Sequence, residues 1–438
     1  MRTFLVIWIG QFASLLGSEM TNFAITIWAW EVTGQATPLS LILFFTQTPR
    51  IIAAVFGGVL IDRLPRKQLM ILGDLVAGLS TIAILLLVWT DHLAIWHLYC
   101  TAAVNGLFGF LQGLAYSASL SLIVPKQHYG RVTALNSIQM SGSFILAPAL
   151  AGGLYSIIGL VGILKIDIVT FIVAIGTLSM VKIPQPDQRE VNNQSIQTIW
   201  HQLTFGFRYI FERPSYIALL LFEVANNFFD SLNFAILPVM LLAYTGNSAV
   251  FGSLMTTFGI GSLLGAVIIS IWGGPKRRIH GVLLGGAISK VCLLLLSLAQ
   301  GTSQLTAVIF TGGLSSVLPD SSRQAIHLSK VEPAVQGRVF AAGSIIVKIP
   351  RSLGAACAGI LADNFFEPAM RDGGSLAGIF GGLFGTQTGS GMALMIALFS
   401  SCGFLVHLLG YNIPILRDVE DILPDHKRAT GISKACDG

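Results

Sequence analysis

Apolar residues fill the chain in blocks of about twenty, the length of a helix that crosses a bilayer, and short polar stretches separate the blocks. The blocks predict twelve helices. Six fall at 4–31, 38–61, 68–90, 94–121, 132–156 and 158–181. Six more fall at 215–244, 249–272, 279–299, 303–327, 338–362 and 389–413. The longest polar stretch, 182–213, lies between the two sets, and a glycine-rich insertion, 371–391, precedes the last helix. Within the polar stretch Ile196, Ile199, Trp200, Leu203, Phe207 and Ile210 recur at helical spacing. That spacing predicts an amphipathic helix on the membrane or against its cytoplasmic face. The opening run stays apolar to about Trp30. A secretory apolar region spans about 7–15 residues, so this longer run reads as a retained first helix.

Composition supports a membrane protein. Charged residues make up 11% of the 438, where a soluble domain carries about a quarter. The mean hydropathy is +0.75. The net charge of +5 therefore bears on orientation, not on nucleic acid, for which no role is expected. With both termini cytoplasmic, nineteen of the 26 Lys and Arg fall in cytoplasmic segments, six within helices, and only Arg371 outside. That is the asymmetry of the positive-inside rule. It predicts a multi-pass protein of the inner (plasma) membrane.

The two sets repeat. "GRVTALNSIQ" from Gly130 matches "GRVFAAGSII" from Gly337, 207 residues on, and "LAGGL" (150–154) matches "CAGIL" (357–361) at the same offset. The expected plan is an all-α membrane protein of two pseudo-symmetric six-helix bundles, 1–181 and 214–413. A cytoplasmic linker, 182–213, joins them, and 414–438 form a cytoplasmic tail. The five cysteines form no CxxC pair, and GxxxxGK[ST], HExxH and GxSxG are absent. No metal, cofactor, enzymatic activity or built-in ATPase is expected.

Gly58, Asp62, Arg63, Arg66 and Lys67, in "GVLIDRLPRK", form a charged loop between the second and third helices. With "LAPALAGG" (146–153), "VEPAVQGRVFAA" (331–342) and "LRDVEDILPD" (416–425), this loop resembles the major facilitator superfamily, specifically its macrolide-efflux and siderophore-exporter group. The resemblance covers essentially the whole chain. It implies a secondary active exporter of small amphipathic molecules such as macrolides, working by alternating access with protons as coupling ion and acting as a monomer. The alternatives are an exporter dedicated to an endogenous metabolite or siderophore, or a lipid flippase, and after these a non-transporting membrane receptor or enzyme. It also implies that Asp62 latches the halves at the start of the eleventh helix, near Arg338 to Ala342, where a helix N-terminus is partially positive. The basic residues of the loop also serve topology alone. Pro148 sits in a stretch resembling the antiporter motif, with Ala147 where Gly is usual, and the fourth helix lacks the arginine of many drug–proton antiporters.

A charge in mid-membrane costs about 2.5–3.5 kcal/mol on insertion scales, so each one asks for a partner or a function. In the seventh helix Glu223, Asn226, Asn227, Asp230 and Asn233 share one face; Gln11 and Asn22 line the first, Asn105 and Gln112 the fourth, and Asp320 and Arg323 the tenth. The resemblance implies that those four helices line the central cavity. Glu19 and Glu223 have no basic residue within one turn, which makes them, with Asp230, candidates for carrying a proton. Arg50, Lys348 and Arg351 suit an anionic or zwitterionic substrate, or else neutralise those three carboxylates. Asp320 and Arg323, one turn apart, either neutralise each other or line the cavity.

Overall fold

A computed structural model describes residues 1–181, 196–332 and 335–422, with side chains at 2, 55–63, 121, 126 and 196–203 outside the described set. The first half comprises α1 (Arg2–Thr33), α2 (Thr37–Arg63), α3 (Arg66–Trp89), α4 (Ile95–Ile123) and α5 (Tyr129–Met180). Between the halves runs α6 (Ile196–Phe211). The second half comprises α7 (Pro214–Thr245), α8 (Ser248–Trp272), α9 (Arg278–Ser297), α10 (Thr302–Lys330) and α11 (Gln336–Leu361). A π-helical turn, Ala362–Phe366, and the short helices α12 (Glu367–Met370) and α13 (Ala377–Phe384) then lead to α14 (Ser390–Asn412).

Among the described residues nine helices are long and apolar enough to cross a membrane. Of these, α5 is two spans in one, because Gly159 turns the chain at φ 62°, a conformation that costs glycine little. Counting α2 and α10, of 27 and 29 residues, as spans as well gives the twelve expected segments. Predicted and observed ends differ by a few residues. Large apolar side chains such as Leu79, Val169 and Leu221, each 60% exposed, stand outward where lipid would cover them.

The repeat is visible in close helix crossings. A side chain at Gly106 would strike the Thr46 carbonyl of α2, and one at Gly313, 207 positions on, the Phe258 carbonyl of α8. Arg66 Nη1 donates to the Ala118 carbonyl at 2.6 Å, as Arg278 Nη1 donates to that of Ala325 at 3.1 Å. These arginines mark the basic end of the molecule; the turn at Gly34 marks the far end.

The packing differs between the two ends. At the far end one hydrophobic core runs across both halves, joining Met20, Ala24 and Ala151 to Ile236, Phe251 and Ala358. Phe23 stacks on Phe251 at 4.6 Å. At the basic end the cores are separate. Phe4, Ile7, Met70 and Leu178 pack within the first half, and Leu219, Leu283, Ile326 and Leu416 within the second. The halves thus meet at the far end and enclose a cleft toward the basic end. The helix α6 docks on the second half: Ile210 packs with Val339 and Ala342, and the Arg338 guanidinium lies over the Phe205 ring at 5.4 Å.

Candidate functional site

The polar residues in the membrane-spanning segments collect into four groups, each assembled from helices distant in sequence. In the first half, α1 crosses α5 closely at Gly17. This brings Ser18 and Thr21 against Asp167, which accepts from their hydroxyls at 3.3 and 3.1 Å and from Thr81 at 2.8 Å. Asp167 is 4% exposed, and three hydroxyl donors replace the water it has lost. Nearer the basic end Asp74, also buried, accepts from Gln11 Nε2 at 2.9 Å and Gln112 Nε2 at 2.6 Å. The amides of Gln11 and Gln112 are thereby engaged inside the first half. Asn105 likewise accepts from Ser80 at 3.0 Å on the α3 side.

In the second half, Glu223 Oε1 lies 2.7 Å from His327 Nε2, and His327 Nδ1 lies 2.9 Å from the Tyr216 hydroxyl. The sequence offered Glu223 no basic residue within one turn; its imidazole partner comes from α10, 104 positions away. Asp230 pairs with Lys290 of α9 and accepts from Asn226 Nδ2 at 2.9 Å. The pair is lopsided: the Lys290 side chain is 3% exposed and that of Asp230 is 40%. Asn227 is buried and donates to the Glu223 carbonyl within its own helix. Asp320 and Arg323 bond to each other at 2.8 Å, with the Asp320 side chain 69% exposed.

A third group faces the cleft from both halves. Glu19 of α1 lies in the field of Arg50 of α2, with the Asn22 side chain hydrogen-bonded beside it. Lys348 of α11 has Arg351 and Arg50 as its charged neighbours, both cationic. Lys348 lines a cavity of about 280 Å³ together with Ala54, Phe110 and Phe340, where α2 and α4 face α11. Pro49 and Pro350 precede Arg50 and Arg351 and break the hydrogen-bond ladder of α2 and α11 at that level. Of the loop residues, Arg66 and Lys67 bond within the first half, Lys67 Nζ to the Ser179 and Val181 carbonyls at 3.0 and 2.7 Å. Gly58, Asp62 and Arg63 lie among the side chains outside the described set.

The fourth group closes the far end, and residue types alone gave no sign of it. Asp363, in the π-helical turn after α11, accepts from the backbone N–H groups of Ala36 and Thr37 at 2.9 and 2.7 Å and from the Thr37 hydroxyl at 2.6 Å. A carboxylate of the second half thus sits on the N-terminus of a helix of the first, where its charge is favoured. Gly359 packs on Thr37 and Ser40, and Gly152 on Ser248 and Gly252. These are the matched glycines of the 207-residue repeat, one at each inter-half crossing.

A cleft between two pseudo-symmetric helical halves, with paired charges on its walls, is a transport geometry, and the comparisons agree with it. The Major Facilitator Superfamily model matches residues 7–355. Macrolide efflux protein A of Streptococcus pyogenes is 26% identical over 368 residues, 82% of this chain and 89% of the relative. Enterobactin exporter EntS of Shigella flexneri is 21% identical over 267 residues, 60% of this chain and 62% of the relative. The crystal structure of the nucleoside transporter NupG superposes with a TM-score of 0.69 at 13% identity, covering 93% of this chain and 99% of that one. This chain belongs to the major facilitator superfamily and is a multi-pass membrane transporter, not an enzyme.

Proposed function

We propose that the protein is a proton-coupled exporter of small amphipathic molecules, macrolide-like drugs among them, which works by alternating access in the inner (plasma) membrane. The carrying observation is the contrast between one shared core at the far end and separate cores at the basic end. With the basic end on the cytoplasmic side, as the positive-inside rule places it, the cleft lies open to the compartment from which an exporter loads. The relatives named for efflux of macrolides and export of enterobactin support the direction. Glu19, partly exposed at the cleft opposite Arg50, is the first candidate for the coupling proton, followed by Glu223 and Asp230.

A second reading, an exporter dedicated to one endogenous metabolite or siderophore, is favoured by the cations Arg50, Lys348 and Arg351 on the cleft wall. The test is accumulation of labelled macrolides, dyes and siderophores in a pump-deficient bacterium, with wild type and Glu19→Gln at matched expression. Proton-coupled export predicts low accumulation in wild type that is lost in the variant and with a protonophore. Unchanged accumulation of every compound overturns broad drug export.

A further inference from the structure

We propose that the cleft takes an amphipathic organic anion, its acidic head held by Arg50, Lys348 and Arg351 and its apolar body laid against Phe110 and Phe340. This rests on the second exporter reading, the dedicated one, and names its substrate class. At membrane depth the cleft and its walls carry five cations (Arg50, Lys290, Arg323, Lys348 and Arg351) against four carboxylates (Glu19, Glu223, Asp230 and Asp320). The carboxylates are already committed. Asp230 is bonded to Lys290, Asp320 to Arg323, Glu223 to His327, and Glu19 has Arg50 beside it. Among the described residues Lys348 and Arg351 enter no ion pair. The unmatched positive charge centres on Lys348, whose charged neighbours are all cationic, while Arg351 also shares the field of Asp320.

Like charges held together repel, and a fold that only had to be stable would neutralise them or replace them with apolar side chains. An anion between α2 and α11 removes that repulsion. The two guanidinium groups offer forked donors suited to carboxylate or phosphate oxygens, and Lys348 adds a point charge. The aromatic walls of the adjoining cavity fix the apolar end. A cationic amphiphile at the same place would add to the surplus.

The test uses three dansyl probes of equal chain length, ending in a carboxylate, its methyl ester or a trimethylammonium. Each is titrated against the full-length protein in nanodiscs of zwitterionic lipid. Saturable carboxylate binding is expected, at least about tenfold tighter than either other probe, a difference of about 1.4 kcal/mol. Lys348→Gln and Arg351→Gln should each weaken it about tenfold, and Lys348→Arg should restore it. Equal binding of the ammonium probe, unchanged affinity in both glutamine variants, or no saturation by the carboxylate overturns the proposal. Adding phosphatidylglycerol to the discs separates the sources: displacement of the carboxylate probe identifies a lipid headgroup as the anion, and persistence identifies a free metabolite. Gradient-driven movement in proteoliposomes is read separately. Binding without movement keeps the anion site and sinks the exporter reading; pumping of the ammonium probe without carboxylate binding does the reverse.

Discussion

Lys290 and Asp230 show how unequal burial sets the cost of breaking a pair. Asp230→Asn strands an ammonium that is 3% exposed, and removing one partner of a buried pair costs about 3–5 kcal/mol. Lys290→Met leaves a carboxylate that is 40% exposed and can be solvated, so it should cost far less. Thermal unfolding of the two variants in detergent checks this order; an equal loss contradicts it. The Glu223–His327–Tyr216 chain gives a second expectation. Glu223→Gln keeps the shape and removes the exchangeable proton, so gradient-driven efflux should vanish while substrate counterflow persists. Loss of both would mark Glu223 as structural. The candidates themselves were legible in the sequence, because any ionisable residue inside a twenty-residue apolar run is conspicuous. Their partners were not: His327 lies 104 positions from Glu223 and Lys290 lies 60 from Asp230, and no local spacing encodes such pairings. Glu19 comes beside Arg50 through the fold alone, a neighbour no local spacing encodes.

Among the elements, helix limits were readable because lipid forces every backbone group into helix and every span to a similar apolar length. The glycine repeat was visible as letters, yet its purpose emerged only when Gly152 met Gly252 and Gly359 met Thr37. Asp363 escaped notice because its partners are backbone N–H groups, which any sequence supplies. A carboxylate on a helix N-terminus is worth up to about 2 kcal/mol. Asp363→Asn should therefore shift the halves toward opening at the far end, by up to about thirtyfold. Faster maleimide labelling of Ser40→Cys, whose native residue is fully buried at this seal, checks it; unchanged labelling contradicts it. Asp62→Asn is expected to weaken transport while leaving expression intact, and unchanged turnover would remove the latch assigned to that loop.

For the whole molecule, the proposed alternating access makes the two ends the two gates of one machine. The far gate holds a shared core, two glycine crossings and the Asp363 cap, whereas the halves are packed separately at the basic gate. On that proposal no element has to refold; the halves would rock about the cleft as packed units. The most direct test places spin labels across each gate, Leu64→Cys with Gly337→Cys at the basic end and Gln35→Cys with Asn364→Cys at the far end, and measures both distances in proteoliposomes before and after acidification. Alternating access predicts that the basic-end distance shortens as the far-end distance lengthens. Two distances that stay fixed, or that lengthen together, would contradict the account.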